Sequence, residues 1–187
     1  MIVVAAFEPF GGRTRNRSWD AATRLEGATI GRHAVELVKL PVVFAELPRA
    51  VARLFEKRPD QVLLVGESSE ARTLLVERIA LNLQHARLGD NAGARPIDEE
   101  LVPGAELARR PTFDPRRAAH AAVRAGVPCE VSSHAGTFCC NAAFYLALGH
   151  APAAAFVHVP ARWPWARDAR AARGLHAIAE FLTAKPE

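Results

Sequence analysis

Cys140 is the residue of this chain with the clearest potential for chemistry, and it lies in the segment SSHAGTFCCN at residues 132–141. Small residues lead there into a helical pattern, so the thiol is expected in the first turn of a helix. The N–H groups and partial positive charge of a helix N-terminus stabilise a thiolate, the nucleophilic form of cysteine. Cys139 remains an alternative, because successive helical residues point about 100° apart and only one thiol can face a site. Both could also be small apolar core residues, the commoner fate of cysteine.

Two ionisable residues lie on apolar strand patterns, where they could act as a base and as the acid that orients it. His158 stands near the end of the run AAAFVHVP at residues 153–160, and open α/β sheets bind ligands at the carboxyl ends of their strands. Glu77 shares one face of a predicted strand, residues 74–83, with apolar side chains, and burying an unpartnered carboxylate is costly. Each alone has a simpler explanation, as a core histidine and as a carboxylate that is exposed or paired with an arginine. Together with a cysteine they indicate a nucleophile, a base and an orienting acid.

Residues 7–12, FEPFGG, follow the first predicted strand and place two phenylalanines where the ligand end of the sheet should lie. The glycine pair suggests a phosphate loop, but neither GxxxxGK[ST] nor GxGxxG is present. The segment is either a plain turn with two core phenylalanines or one wall of an apolar ligand pocket.

Composition narrows the class of function. The chain has 187 residues, half of them apolar, and a formal net charge of +4. Its arginines are spread along the chain without an aromatic–basic stripe, which argues against a nucleic-acid partner. Three cysteines, two of them adjacent, make a poor disulfide framework, and no zinc spacing is present, so no metal is expected. The N-terminal apolar run is too short for a signal peptide and no run is long enough to span a membrane, so we expect a cytoplasmic protein without a membrane partner.

Strand and helix patterns alternate along the chain, and most strands are apolar on both faces. This alternation predicts an α/β fold, a three-layer α/β/α sandwich around a mostly parallel twisted sheet, in a single domain of residues 1–187. Residues 84–104 are long for a connection and are predicted to form a binding loop or an interface. Ser18 and Asp114 are the predicted N-caps of two helices. The predicted strands are residues 2–7, 33–40, 61–65, 74–83, 130–133 and 155–159, and the predicted helices are residues 19–25, 44–58, 114–126, 137–148 and 168–183.

Five ordered blocks of sequence resemble the pyroglutamyl peptidase type I family, or pyrrolidone carboxyl peptidases, which are cytosolic cysteine peptidases. The resemblance runs from residue 2 to about residue 160. The blocks are FEPFGG at residues 7–12 with the following Asn16, VERIALN at residues 76–82, ARLGDNAGARPID at residues 86–98, SSHAGTFCCN at residues 132–141 and FVHVP at residues 156–160. Five blocks in order and with compatible spacing are far more specific than any one of them.

The resemblance implies a role for each candidate residue. Cys140, rather than Cys139, would be the nucleophile, His158 the base and Glu77 the carboxylate that orients it. Arg87 would be the family's functional arginine, facing the oxyanion of the tetrahedral intermediate, a place that backbone N–H groups near the nucleophile could also take. The residues expected to bind the substrate are Phe7, Phe10, Asn16, Gly66 and Glu67.

The resemblance also implies an activity. The protein would be a cysteine exopeptidase that removes N-terminal pyroglutamate (5-oxoproline) from peptides by thiolate acyl transfer and hydrolysis. It would need no metal or organic cofactor and would assemble as a homodimer or homotetramer. Residues 66–71, GESSEA, depart from the small, glycine-rich turn of the family. That departure motivates two alternatives, a thiol amidase or acyltransferase of shifted specificity on the same scaffold and a non-catalytic ligand-binding homologue.

Overall fold

The computed structural model of the protein describes residues 1–162 and 167–184. Within these ranges the strands are β1 (Ile2–Phe7), β2 (Thr29–Ile30), β3 (His33–Leu40), β4 (Gln61–Ser68), β5 (Leu74–Glu77), β6 (Ala80–Leu81), β7 (Ala108–Arg109), β8 (Cys129–Ser132) and β9 (Ala155–Pro160). Seven of them form one sheet in the order β2-β3-β1-β4-β9-β5-β8, while β6 and β7 pair separately.

The centre of the sheet is parallel, because its strands are continuous apolar runs that are covered by helices on both sides. β1 pairs in parallel with β3 and with β4, and β4 pairs in parallel with β9. β5 runs antiparallel to β9 and parallel to β8. The sheet is therefore mostly parallel, as predicted, with a reversal at β5 that sets Leu75 directly beside His158.

Helices cover the two faces of this sheet. Within the described residues they are α1 (Arg17–Ala22), α2 (Leu47–Arg53), α3 (Pro115–Arg124), α4 (Cys139–His150) and α5 (Arg167–Thr183). One core contains Ala21 of α1, Ala122 of α3 and Leu175 of α5, and the other contains Val51 of α2 and Phe144 of α4. Two apolar cores on either side of one sheet confirm the predicted three-layer α/β/α sandwich. No helix of the described residues is long and apolar enough to cross a membrane.

The first helix begins differently from the prediction. Its N-cap is Asn16 rather than Ser18, because Asn16 has extended backbone and its side chain accepts from the Ser18 N–H. The Ser18 hydroxyl instead donates to the Asn16 side chain and accepts from the Phe7 N–H, which ties the helix to the end of β1. The predicted cap at Asp114 is present, since its side chain accepts from the Arg116 N–H at the start of α3.

The strand predicted over residues 74–83 is divided in two. β5 ends at Glu77, which is paired with Ser132, the last residue of β8. The chain then leaves the sheet and forms β6, whose Leu81 backbone is hydrogen-bonded by the side chain of Asn141 from α4. A side chain distant in sequence therefore holds β6 in place outside the main sheet.

The helix predicted over residues 44–58 is also shorter. A 3₁₀ turn at Phe44–Glu46 precedes α2, which ends at Arg53. Beyond Arg53 the chain forms tight turns, and Arg58 adopts a positive φ of 49°. The following Pro59 disfavours helical backbone at Arg58, so the helix cannot include that residue. The prediction was too long because the apolar spacing in the sequence continues beyond the end of α2.

Candidate active site

Glu77 and His158 form a buried hydrogen-bonded pair on the sheet face that carries α2 and α4. Leu75 lies opposite His158 in the antiparallel ladder, and Glu77, two residues further along β5, projects from the same face. His158 Nδ1 and Glu77 Oε1 are 2.7 Å apart, and Glu77 is only 1% exposed. The carboxylate therefore fixes the orientation of the imidazole and leaves Nε2 for a second partner.

The thiol of Cys140, at the start of α4, lies next to this ring, because both residues line one cavity and the Cβ position of Gly66, the ladder partner of His158, is 2.8 Å from Cys140 Sγ. The first hydrogen bond within this helix runs from the Ala142 N–H to the Phe138 carbonyl. The N–H groups of Cys139, Cys140 and Asn141 consequently have no acceptor inside the helix. Together with the helix dipole, they surround the sulfur with partial positive charge.

The two adjacent cysteines have different environments. Cys139 belongs to the apolar core and is 1% exposed, and burial raises the pKa of its thiol well above the usual range. Cys140 is partly exposed and contacts the imidazole. The structure thus separates two thiols that the sequence pattern left undecided, and it brings Cys140, His158 and Glu77 together.

The surroundings of His158 favour the protonated form of its imidazole. Burial alone would lower its pKa, but the hydrogen bonds and charges of Cys140 and Glu77 outweigh burial and raise the pKa to about 10. A charged imidazole between a sulfur and a carboxylate suits a thiolate–imidazolium pair, the activated form of a cysteine nucleophile.

Gly66 packs closely against the sulfur of Cys140. It is paired with His158 in the β4–β9 ladder, and a Cβ atom at this position would lie 2.8 Å from both Cys140 Sγ and Phe156 Cζ. Only a residue without a side chain leaves room for the thiol beside the imidazole. Gly66 therefore contributes space for the thiol, and its expected contact with the substrate stays a prediction.

A cavity of about 360 Å³ opens beside Cys140. Its walls include the rings of Phe7, Phe10 and Phe138, and the ring centroids of Phe10 and Phe138 are 6.1 Å apart. A small pocket with aromatic walls next to a nucleophile suits a flat, uncharged group attached to the reacting carbonyl.

Comparison with known proteins agrees with this geometry. The family model described as pyroglutamyl peptidase matches residues 1–165. The chain belongs to the pyroglutamyl peptidase family. Over 167 residues it is 38% identical to pyrrolidone-carboxylate peptidase 1 of Ralstonia nicotianae, a match that covers 85% of this chain and 77% of that protein. Over 172 residues it is 41% identical to the pyrrolidone-carboxylate peptidase of Streptomyces coelicolor, with 89% of this chain and 79% of that protein covered.

Solved structures of the family have the same fold. Pyroglutamyl peptidase I of Bacillus amyloliquefaciens matches with a TM-score of 0.90 at 29% identity, over 98% of this chain and 97% of that chain. Pyrrolidone carboxyl peptidase of Thermus thermophilus matches with a TM-score of 0.89 at 31% identity, over 96% of this chain and 99% of that chain. The fold of this pyroglutamyl peptidase family member therefore extends beyond the residues that the family model matches.

Two of the polar residues expected to bind substrate line the cavity but also bond to the chain itself. The Asn16 amide donates to the Glu8 carbonyl at 2.9 Å, which fixes the loop after β1. The Glu67 carboxylate accepts from the Arg13 guanidinium and, at 2.6 Å, from the Arg17 N–H. Both residues therefore shape the wall of the cavity, and neither presents a free charge to it.

Arg87 lies elsewhere than expected, since it is not among the residues that line the Cys140 cavity. Its side chain is exposed and lines an adjoining cavity of about 460 Å³ together with Glu70. The N–H groups at the start of α4 lie at the same end of the helix as the sulfur, and the expected role of Arg87 toward the oxyanion stays a prediction.

Sequence reasoning missed Asn141, the residue after the nucleophile. It is fully buried, and its side chain accepts from the Leu81 N–H at 2.8 Å and donates to the carbonyls of Leu81 and Leu83 at 2.8 and 3.1 Å. These bonds fasten the helix that carries Cys140 to the chain segment that follows Glu77. An amide inside an otherwise apolar helix pattern was the signal that could have identified it.

The long connection predicted over residues 84–104 lies next to the site. The Thr137 carbonyl accepts from the His85 N–H, and the Thr137 hydroxyl donates to the His85 carbonyl. The buried side chain of Asp90 accepts from the Phe44 N–H at 2.8 Å. The connection thus supports the loop that leads into α4. Among the residues that the structure describes, no cluster of histidine, cysteine or acidic side chains could hold a metal ion.

Proposed function

We propose that the protein is a cysteine exopeptidase that removes an N-terminal pyroglutamyl residue from peptides, with Cys140 as nucleophile, His158 as general base and acid, and Glu77 as the orienting carboxylate. One observation carries the proposal, which is the convergence of these three side chains at a small cavity walled by phenylalanines. Membership of the pyroglutamyl peptidase family supports it.

The reaction follows from the geometry. The Cys140 thiolate attacks the carbonyl that joins the lactam ring to the next residue, and a carbon–sulfur bond forms. The oxyanion is stabilised by the N–H groups at the start of α4, and the His158 imidazolium gives its proton to the leaving amine as the peptide bond breaks. Water then attacks the thioester carbonyl while His158 takes its proton, the carbon–sulfur bond breaks, and free pyroglutamate leaves as the thiolate–imidazolium pair is restored.

The cavity accounts for selection of pyroglutamate. The lactam ring carries no charged amine, and Phe7 and Phe10 offer it an apolar slot. Polar groups that bond the ring carbonyl would be left unpaired by proline, which has the same ring without that carbonyl, and an unpaired buried polar group is costly. A site of this kind can select a neutral residue although no charged side chain of the protein binds it.

The test is hydrolysis of pyroglutamyl-aminomethylcoumarin compared with prolyl-aminomethylcoumarin under reducing conditions. We expect release of the fluorophore from the pyroglutamyl amide at a kcat/KM at least ~100-fold higher, and none above background with Cys140→Ser. A higher kcat/KM for another blocked amide would instead favour an amidase of shifted specificity.

The Glu77→Gln variant is expected to shift the alkaline limb of the kcat/KM profile to lower pH. The Glu77 charge helps to raise the pKa of His158, and the leaving amine needs the protonated ring. The neutral amide of glutamine removes that charge, so the ring loses its proton at a lower pH. We expect the alkaline limb to move down by ~1–3 pH units. A pH profile of the coumarin assay between pH 5 and 11 measures the shift, and an unchanged alkaline limb would contradict the role of Glu77.

We further propose that the chain folds as a single domain, acts in the cytoplasm and assembles as a homodimer or homotetramer. All three cysteines are free thiols, which suits a reducing compartment. The connection at residues 84–104 and its continuation expose the large apolar side chains of Leu88, Ile97 and Leu107, which suits a contact between copies. Sedimentation velocity tests the assembly, and a monomer at micromolar concentration would contradict it.

A further inference from the structure

The cavity wall contains a charged pair that the mechanism above does not use. Glu67 stands at the carboxyl end of β4 and is one of the residues that line the cavity. Its side chain is only 2% exposed and lies on the face of the sheet that carries α1, the face of Val65. The guanidinium of Arg13, from the loop after β1, reaches both carboxylate oxygens, and its Nη2 lies 3.3 Å from Oε2. The Arg17 N–H donates to the same Oε2 at 2.6 Å. Both oxygens of this buried carboxylate are therefore bonded within the protein.

Glu67 is one residue away from the glycine that packs against the reacting sulfur, although its side chain lies on the other face of the sheet, and this gives the pair a consequence for catalysis. Glu67 follows Gly66, the residue that is packed against Cys140 Sγ. The reaction develops negative charge in this cavity, first on the thiolate and then on the oxyanion. A buried carboxylate without a counter-charge would oppose both, because charges interact strongly where water is excluded.

We propose that Arg13 is a positioning residue that cancels the charge of Glu67 and so keeps the cavity wall neutral beside an anionic reaction centre. This inference rests on the proposed function and deepens it, because it explains how a site with acidic residues in the turn at residues 66–71 can act on a neutral lactam. Arg13 acts through Glu67, since its own side chain is 45% exposed and is not among the residues that line the cavity.

The other charged groups around the cavity do not replace this pair. Glu77 is paired with the protonated ring of His158, which also faces the Cys140 sulfur. Glu70 and His134 line the cavity from the loops of its open side and are exposed, so water screens them. Glu67 is thus the carboxylate whose counter-charge is Arg13.

The test is the Arg13→Ala variant, examined with two measurements. We expect kcat/KM for pyroglutamyl-aminomethylcoumarin to fall roughly tenfold, since an uncompensated charge now opposes the anionic transition state. We also expect the pH midpoint of Cys140 alkylation by iodoacetamide, followed by mass spectrometry without any peptide substrate, to rise by about one unit. Arg15→Ala is the matched control, because Arg15 is in the same loop but pairs with Asp20 at the surface.

Two further variants separate charge from folding. Arg13→Ala combined with Glu67→Gln is expected to recover most of the loss in both measurements, and Arg13→Lys to retain more activity than Arg13→Ala. The proposal is overturned if Arg13→Ala lowers only the melting temperature, with kcat/KM and the alkylation midpoint unchanged, or if the double variant recovers nothing. The alkylation measurement requires no turnover, so a failure of the proposed peptidase activity is distinguishable from a failure of this inference.

Discussion

Cys140→Ala is expected to lower kcat/KM for pyroglutamyl-aminomethylcoumarin by about 10⁴-fold or more, because removal of a nucleophile disables the catalytic unit as a whole. The sulfur contacts the imidazole of His158 and lies at the N-terminus of α4. No other thiol can replace it, since Cys139 is 1% exposed in the core and Cys129 lies in β8, where burial raises the pKa of the Cys129 thiol to about 12. Initial rates with enough enzyme to detect a residual activity measure the effect.

Cys139→Ala is the matched control for this prediction, because it removes the neighbouring thiol from the same helix. We expect it to keep kcat/KM within about threefold of the unmodified protein and to lose stability by about 1 kcal/mol, as for the loss of a small buried group. A variant without Cys140 that retains more than a few per cent of the activity, or a Cys139→Ala variant that loses it, would show that the wrong thiol has been assigned.

Gly66→Ala is expected to reduce kcat/KM by about 100-fold while the protein still folds. The added Cβ would lie 2.8 Å from Cys140 Sγ and 2.8 Å from Phe156 Cζ, so the sulfur or the ring must move. A displacement of about 1 Å between reacting groups is enough for a loss of this size. Circular dichroism and the coumarin assay together separate a displaced nucleophile from an unfolded protein.

Gly89→Ala provides the control for the glycine substitution. Gly89 lies in the connection beside the site, and a Cβ there would meet only backbone atoms of Gly93 at 3.4 Å, an ordinary contact. We expect unchanged activity at this position. If Gly66→Ala also leaves kcat/KM unchanged, the close packing of β4 against the thiol plays no part in catalysis.

The layers of the fold could be predicted from sequence because they depend on local patterns. β1 and β3 have the predicted bounds, since each is an apolar or alternating run ended by a clear stop signal, and Asp114 caps α3 as expected. The inward carboxylate of Glu77 could be recognised in the same way, because a strand period places it on a buried face. These inferences need no knowledge of distant contacts.

The rest depends on contacts between segments that are far apart in the chain. The chain leaves the sheet after β5, and its next strand is bonded by the Asn141 side chain, which reaches residue 81 from the other side of a long connection. The choice between the two cysteines depends on which face of α4 meets β9, and helical spacing alone does not fix that rotation. The Arg13–Glu67 pair joins residues 54 positions apart, so no local pattern indicated it.

The most direct test of the central claim is to label the protein with pyroglutamyl chloromethyl ketone and to locate the adduct by fragmentation of the peptide that contains residues 139 and 140. The account predicts one adduct per chain on the sulfur of Cys140, none in Cys140→Ser, and slower labelling in Glu77→Gln. An adduct on Cys139 or Cys129, or continued labelling and turnover after residue 140 has lost its thiol, would contradict it.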